Sequence, residues 1–151
     1  MLLRRLSLPI LAFLLPAIAH AGDDEALPGP VPADVVRVLD GDTFEARAHI
    51  WPGQTVQVLV RLRGIDAPEI RSSCAPEKLA GITSRTVLEK LIAGRRITIS
   101  NISGGKYYGR VIADAATENG QAISAYLLER SVVRPYHGGR RERSCQLFAG
   151  G

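Results

Sequence analysis

Thr55-Val56-Gln57-Val58-Leu59-Val60-Arg61-Leu62-Arg63 is the stretch that decides the fold. Val56, Val58, Val60 and Leu62 fall on one face, and Gln57, Leu59, Arg61 and Arg63 on the other, the period of a strand with one buried side. Pro52-Gly53 before it is a turn signal, so Thr43 to Ile50 reads as its hairpin partner. Asp40-Gly41-Asp42 separates that partner from an apolar run starting at Val35. Downstream, Pro68 ends the strand and Pro76 marks a helix start. Leu79, Ile82, Thr86 and Leu91, with Val87 and Leu88 beside them, give the helix its apolar face, and Gly94 its stop. Ile97 to Ile102 and Tyr107 to Ala116 read as two more strands. Glu118-Asn119-Gly120 then turns into a short helix over Gln121 to Glu129. Five strands, with helices after the third and the fifth, predict a mixed α+β, mainly β chain folded as an OB-like five-stranded barrel.

The chain has 151 residues, 46% hydrophobic and 23% charged, which suits one domain and excludes a multidomain machine or a disordered chain. Two Cys exclude a disulfide-dense miniprotein and a four-Cys zinc site. Arg4 and Arg5, the apolar run Leu6 to Ile18 and the small-x-small Ala19-His20-Ala21 read as an export signal over residues 1–21. The alternative, a membrane anchor, has too short an apolar run and two prolines within it, Pro9 and Pro16. No stable membrane anchor is expected after cleavage, and the destination is periplasmic or secreted. Residues 22–33 read as a flexible leader, 34–136 as the folded domain and 137–151 as a tail. Losing Arg4 and Arg5 takes the 19 Lys and Arg to 17 against 15 acidic residues, a formal +2 that announces no polyanion partner by itself. Arg134, Arg140, Arg141 and Arg143 crowd the C-terminal end, where a solvated tail explains them equally well.

In an oxidising compartment the economical assignment for Cys74 and Cys145 is a disulfide that ties the tail back. Two unpaired thiols are the alternative; a catalytic Cys has no supporting His motif. Three segments concentrate polar chemistry. Asp40-Gly41-Asp42-Thr43 is, taken alone, an ordinary hairpin turn. Arg61-Leu62-Arg63-Gly64-Ile65-Asp66-Ala67-Pro68-Glu69 brings two arginines and two carboxylates off one strand end, and a surface salt-bridge ladder would need the same residues. Tyr107-Tyr108-Gly109-Arg110 could be an exposed aromatic turn.

Together, in this order, the three segments resemble the thermonuclease family, the secreted staphylococcal-nuclease-like phosphodiesterases, from about Val35 to Pro135. The Arg134-Pro135-Tyr136-His137-Gly138-Gly139-Arg140-Arg141 run and the two Cys are similar to its short-tailed bacterial branch. The resemblance implies a Ca²⁺-dependent nuclease acting on DNA and RNA as a monomer. It implies that Asp42, Asp66 and the carbonyl of Ala67 hold Ca²⁺, with Asp40 behind them. It makes Glu69 the group that activates or orients the attacking water, and Arg61 and Arg110 the phosphate clamp. Tyr108, Lys106, Tyr136 and Arg140 would touch the substrate. Arg61, opposite Val60 and Leu62, should leave the core. Ala67 stands where Thr is frequent, Lys106-Tyr107 replaces an acid-plus-base pair, and the hairpin between Asp42 and Arg61 is longer than in the best-known member. A non-catalytic OB-like binding module exported to the envelope is the rival reading, and an envelope structural or adhesion domain a third. The retained Asp42, Asp66, Glu69, Arg61 and Arg110 speak against both.

Overall fold

A computed structural model describes residues 26–139 and Cys145. The expected signal segment, the first residues of the leader, Arg140 and nearly all of the tail lie outside the described residues. The elements in chain order are β1 (Val31–Asp40), β2 (Thr43–Trp51), β3 (Gln54–Leu62), β4 (Ile65–Asp66), α1 (Ala75–Ile92), β5 (Arg96–Gly104), β6 (Arg110–Thr117), α2 (Ile123–Glu129) and β7 (Arg134–Pro135). Five strands close a barrel in the order β1-β2-β3-β6-β5, and β4 pairs with β7 beside it. All barrel contacts are antiparallel except β3 with β6. This is the expected OB-like architecture, with α1 after the third barrel strand and α2 after the fifth.

The alternation read in β3 becomes a core at its C-terminal half only. Val60 and Leu62 are buried with Phe44, Ile97, Ile99 and Ala113, and Leu88, Ile92, Ile123 and Leu127 cap them from the two helices. Burying each large apolar side chain contributes about 1.5–3 kcal/mol. Val56 stays exposed, because β3 pairs with β6 only from Leu59 onward and the hairpin before it overhangs the barrel.

Three local expectations are corrected. The leader is already paired before residue 34: Val31, Pro32 and Ala33 lie opposite Ile99, Thr98 and Ile97, and Leu27 bridges to Ile102. Pro28 and Pro30 precede the strand and Pro32 is its second residue, so little ladder bonding is lost. On α1 the buried face is Glu77, Gly81, Ser84, Leu88 and Ile92, while Leu79 and Ile82 are exposed. The last barrel strand, β6, begins at Arg110, with Tyr107 and Tyr108 in the turn before it.

The small residues on α1 have a clear cause. A Cβ at Gly81 would stand 2.8 Å from the Pro68 carbonyl oxygen, and one at Gly41 would stand 2.6 Å from Ser84 Cβ. Helix, β1–β2 turn and the segment after β4 therefore meet at near backbone contact, and Gly is required at both positions.

Candidate active site

The β1–β2 turn is locked by its own polar groups. Asp42 N–H donates to Asp40 Oδ1 at 3.1 Å, and Asp42 Oδ1 accepts from Thr43 Oγ1 at 2.9 Å. The Ala67 N–H donates to Asp42 Oδ2 at 2.7 Å, and the Leu62 N–H to the Asp42 carbonyl at 2.8 Å. These bonds carry the turn to the end of β3 and to the segment after β4.

Arg61 leaves the barrel interior as expected but remains 7% exposed. Its guanidinium lies against Asp42 Oδ2, donates from Nη2 to Asp66 Oδ1 at 2.9 Å and to the Ile65 carbonyl at 3.2 Å. Nη1 forms the ion pair with Asp42 but no aligned hydrogen bond, so donor capacity remains beside the two carboxylates. Arg61 also lines a recess of about 400 Å³ with Gly64, Ile112 and Tyr136. Tyr136 is fixed there by donating its N–H to the Gly64 carbonyl at 2.9 Å, and its hydroxyl to the Gly139 carbonyl at 2.8 Å.

Arg110 reaches the same side by register. Leu59 pairs with Arg110 and Arg61 with Ile112 in the parallel ladder, so Arg110 lies one strand over and two residues back on the outer face that carries Arg61. The turn before it is tight: Leu59 N–H donates to the Gly109 carbonyl at 3.0 Å and Gly105 N–H to the Arg110 carbonyl at 2.8 Å. Tyr108 projects wholly into solvent, and the Lys106 ammonium lies 5.9 Å from the Tyr107 ring centre. Glu69 stands apart. Its Oε1 accepts from the Arg71 N–H at 3.0 Å, and it lines a second recess, of about 460 Å³, with Ser72, Cys74, Glu77 and Cys145. No hydrogen bond or ion pair links it to Asp42, Asp66 or either arginine among the described residues. Cys74 and Cys145 are disulfide-bonded, with Cα atoms 5.7 Å apart.

Burial, and then the charge of Asp42, push the Asp40 carboxyl up to about 6. Arg61 thus pairs with Asp42 and Asp66, and Asp40 lies behind Asp42, joined to it through the turn. The carboxylates of Asp40, Asp42 and Asp66 and the backbone carbonyl of Ala67 are hard oxygen donors, the ligand chemistry of Ca²⁺ rather than of a soft metal. Among the described residues no three such side chains already converge as a cage, because Arg61 spans Asp42 and Asp66.

Sequence reasoning missed Arg63. Its Nη2 donates to the carbonyls of Asn101 at 2.6 Å and Ile112 at 3.0 Å and to Ser103 Oγ at 2.9 Å, stitching the end of β3 to β5 and β6. An arginine facing outward next to Arg61 carried no signal that distinguished this structural role.

The five-stranded barrel with Arg61 ion-paired to Asp42 and Asp66 at one strand end is an OB-like domain with a polar site. A family model described as staphylococcal nuclease homologue matches residues 59–146, more than half of the sequence, and the chain belongs to that family. The matched span holds Arg61, Asp66, Ala67, Glu69 and Arg110. Asp40 and Asp42 precede it and are joined to it by the bonds to Leu62 and Ala67. The chain is 28% identical over 102 residues to a protein of Escherichia coli named "Uncharacterized endonuclease", and equally to its counterpart in Escherichia coli O157:H7. The alignments cover 68% of this chain and 59% of each relative, so the chain spans about three fifths of the curated relatives it matches. No helix among the described residues is long and apolar enough to cross a membrane.

Proposed function

We propose that the protein is an exported, Ca²⁺-dependent nuclease that hydrolyses phosphodiester bonds of DNA and RNA. The observation that carries this reading is Arg61, buried between Asp42 and Asp66 on the face it shares with Arg110. Family membership and the relatives' printed names support the same reaction class. The disulfide supports export, since such bonds persist in oxidising compartments.

Asp42, Asp66 and the Ala67 carbonyl would hold Ca²⁺, with Asp40 behind them. Bound there, the cation would supply positive charge that polarises the phosphate. Arg61 and Arg110 present planar donor forks to non-bridging phosphate oxygens and to the extra charge of the pentacoordinate transition state. Glu69 accepts a proton from the attacking water. The new P–O bond forms in line as the bond to the 5′ oxygen breaks; that oxygen takes up a proton and a 3′-phosphate end remains. Tyr108, Lys106, Tyr136 and Arg140 are the substrate contacts of this reading, and the working unit is a monomer.

Purified protein should release acid-soluble nucleotides from DNA and RNA with Ca²⁺ and not with chelator, leaving 3′-phosphate ends. Nucleic-acid binding with no release under any divalent cation would replace this reading by a binding module.

A further inference from the structure

The turn after β7 carries a histidine, His137, into the recess that Arg61 lines. Ile65 pairs with Pro135 and Asp66 with Arg134, so the chain beyond Pro135 runs back along Gly64 and Arg63. Tyr136 holds it there, through its N–H on the Gly64 carbonyl and its hydroxyl on the Gly139 carbonyl. Gly138 and Gly139 both have φ of +97°, the left-handed region that suits glycine, and give the sharp return this closure needs. His137 lies between these anchors, on a recess of about 400 Å³ shared with Arg61, Arg63 and Ile112.

Of the side chains on this recess that carry a polar proton, His137 alone is free to release one. Arginine does not give up a proton in a protein, which excludes Arg61 and Arg63, and Arg110 one strand over. The Tyr136 hydroxyl proton is committed to the Gly139 carbonyl. The His137 ring makes no hydrogen bond or ion pair among the described residues, whereas His49 Nε2 is bonded to Asp34 Oδ2 at 2.8 Å. In-line displacement then fixes where a proton donor must stand. The entering water oxygen and the departing 5′ oxygen lie on opposite sides of phosphorus, so the group that serves one does not reach the other. Glu69, assigned to the water, lines the other recess, between Glu69 and Glu77 with Cys145, and the two recesses share no residue. Arg61, the phosphate clamp, faces the one that holds His137.

We propose that His137 is the general acid of the reaction, its imidazolium donating a proton to the 5′ oxygen as the P–O bond breaks. The electron pair of that bond stays on the oxygen, which departs as a neutral hydroxyl. The ring is left neutral and takes its next proton from solvent. An alkoxide is a poor leaving group, and protonating it in the transition state is a task separate from activating the water. The proposal rests on the nuclease reading and names the source of the proton that the reading requires.

A substrate whose leaving group needs no proton tests this directly. Two end-labelled DNA oligonucleotides are made identical except at one linkage, where sulfur replaces the 5′ bridging oxygen in the second. A thiol, with a pKa of about 8.5, departs as its thiolate. The full-length, disulfide-bonded protein with Ca²⁺ is mixed with each, and the initial rate at that linkage is read from the labelled products. His137→Gln should cleave the oxygen linkage about a hundredfold or more slower than the wild type, and the sulfur linkage at the wild-type rate. His137→Asn should do the same, and equal melting temperatures of the three proteins check that the fold is intact. An equal fall at both linkages, or no fall at either, overturns the assignment of His137 and leaves the nuclease reading standing. A wild-type protein that cleaves neither oligonucleotide at any linkage removes both.

Discussion

Ser84 of α1 occupies the space that a side chain at Gly41 would need: a Cβ there would stand 2.6 Å from Ser84 Cβ and 2.9 Å from Ala67 Cβ. The β1–β2 turn can therefore bring Asp42 against Ala67 only because residue 41 has no side chain. Gly41→Ala should destabilise the fold by about 1–3 kcal/mol, the usual cost of overpacking. Ser84→Gly in the same chain should recover part of it. Urea midpoints of the three proteins check this, and an unchanged midpoint in Gly41→Ala would mean that the turn is free to shift.

The disulfide gives a second stability handle. Closing a loop between Cys74 and Cys145, 71 residues apart, restricts the unfolded chain by about 4 kcal/mol in the loop-entropy treatment. Reduction should lower the unfolding free energy by a few kcal/mol, and non-reducing peptide maps should recover Cys74 and Cys145 in one linked fragment. Two freely alkylated thiols in the native protein would contradict the bond.

Acid sensitivity should trace in part to Asp34. The hydrogen bond from Arg96, and next that with His49, hold its carboxyl down at about 2. A carboxylate whose folded value is depressed stabilises the fold above its unfolded value near 4 and loses that contribution as pH falls toward 2. Unfolding free energy should drop across that window, and Asp34→Asn should flatten the drop. Equal acid slopes in the two proteins would remove Asp34 from the account.

The barrel was legible where chemistry and period agree. Val60 and Leu62 of β3, the Pro76 start and the Gly94 stop of α1 all carry their meaning locally. The face of α1 was not legible, because Gly81 and Ser84 are buried for their smallness, and a hydrophobic pattern points to Leu79 and Ile82 instead. The start of β1 was hidden by prolines that read as a leader, although Val31 and Ala33 face the core. At the site, the order of residues at the end of β3 placed Arg61, Asp66 and Glu69 together, and Asp42 joined them only through the family resemblance. That order could not tell that Arg61 would be held by both carboxylates, or that Glu69 would turn to the Arg71 N–H, since both depend on side-chain direction.

Ca²⁺ should raise the melting temperature, because a ligand that binds only the folded state stabilises it by mass action. Asp42→Ala should lose most of that shift. A mutant shift equal to the wild type would place the cation elsewhere.

The nuclease reading meets its most direct test in Glu69→Gln, which preserves shape and removes the carboxylate that takes the proton. Turnover on single-stranded DNA with Ca²⁺ should fall by about two orders of magnitude or more, while oligonucleotide affinity is retained or rises. Undiminished turnover in Glu69→Gln would contradict the account, and a wild-type protein that binds DNA without cleaving it would contradict it more deeply.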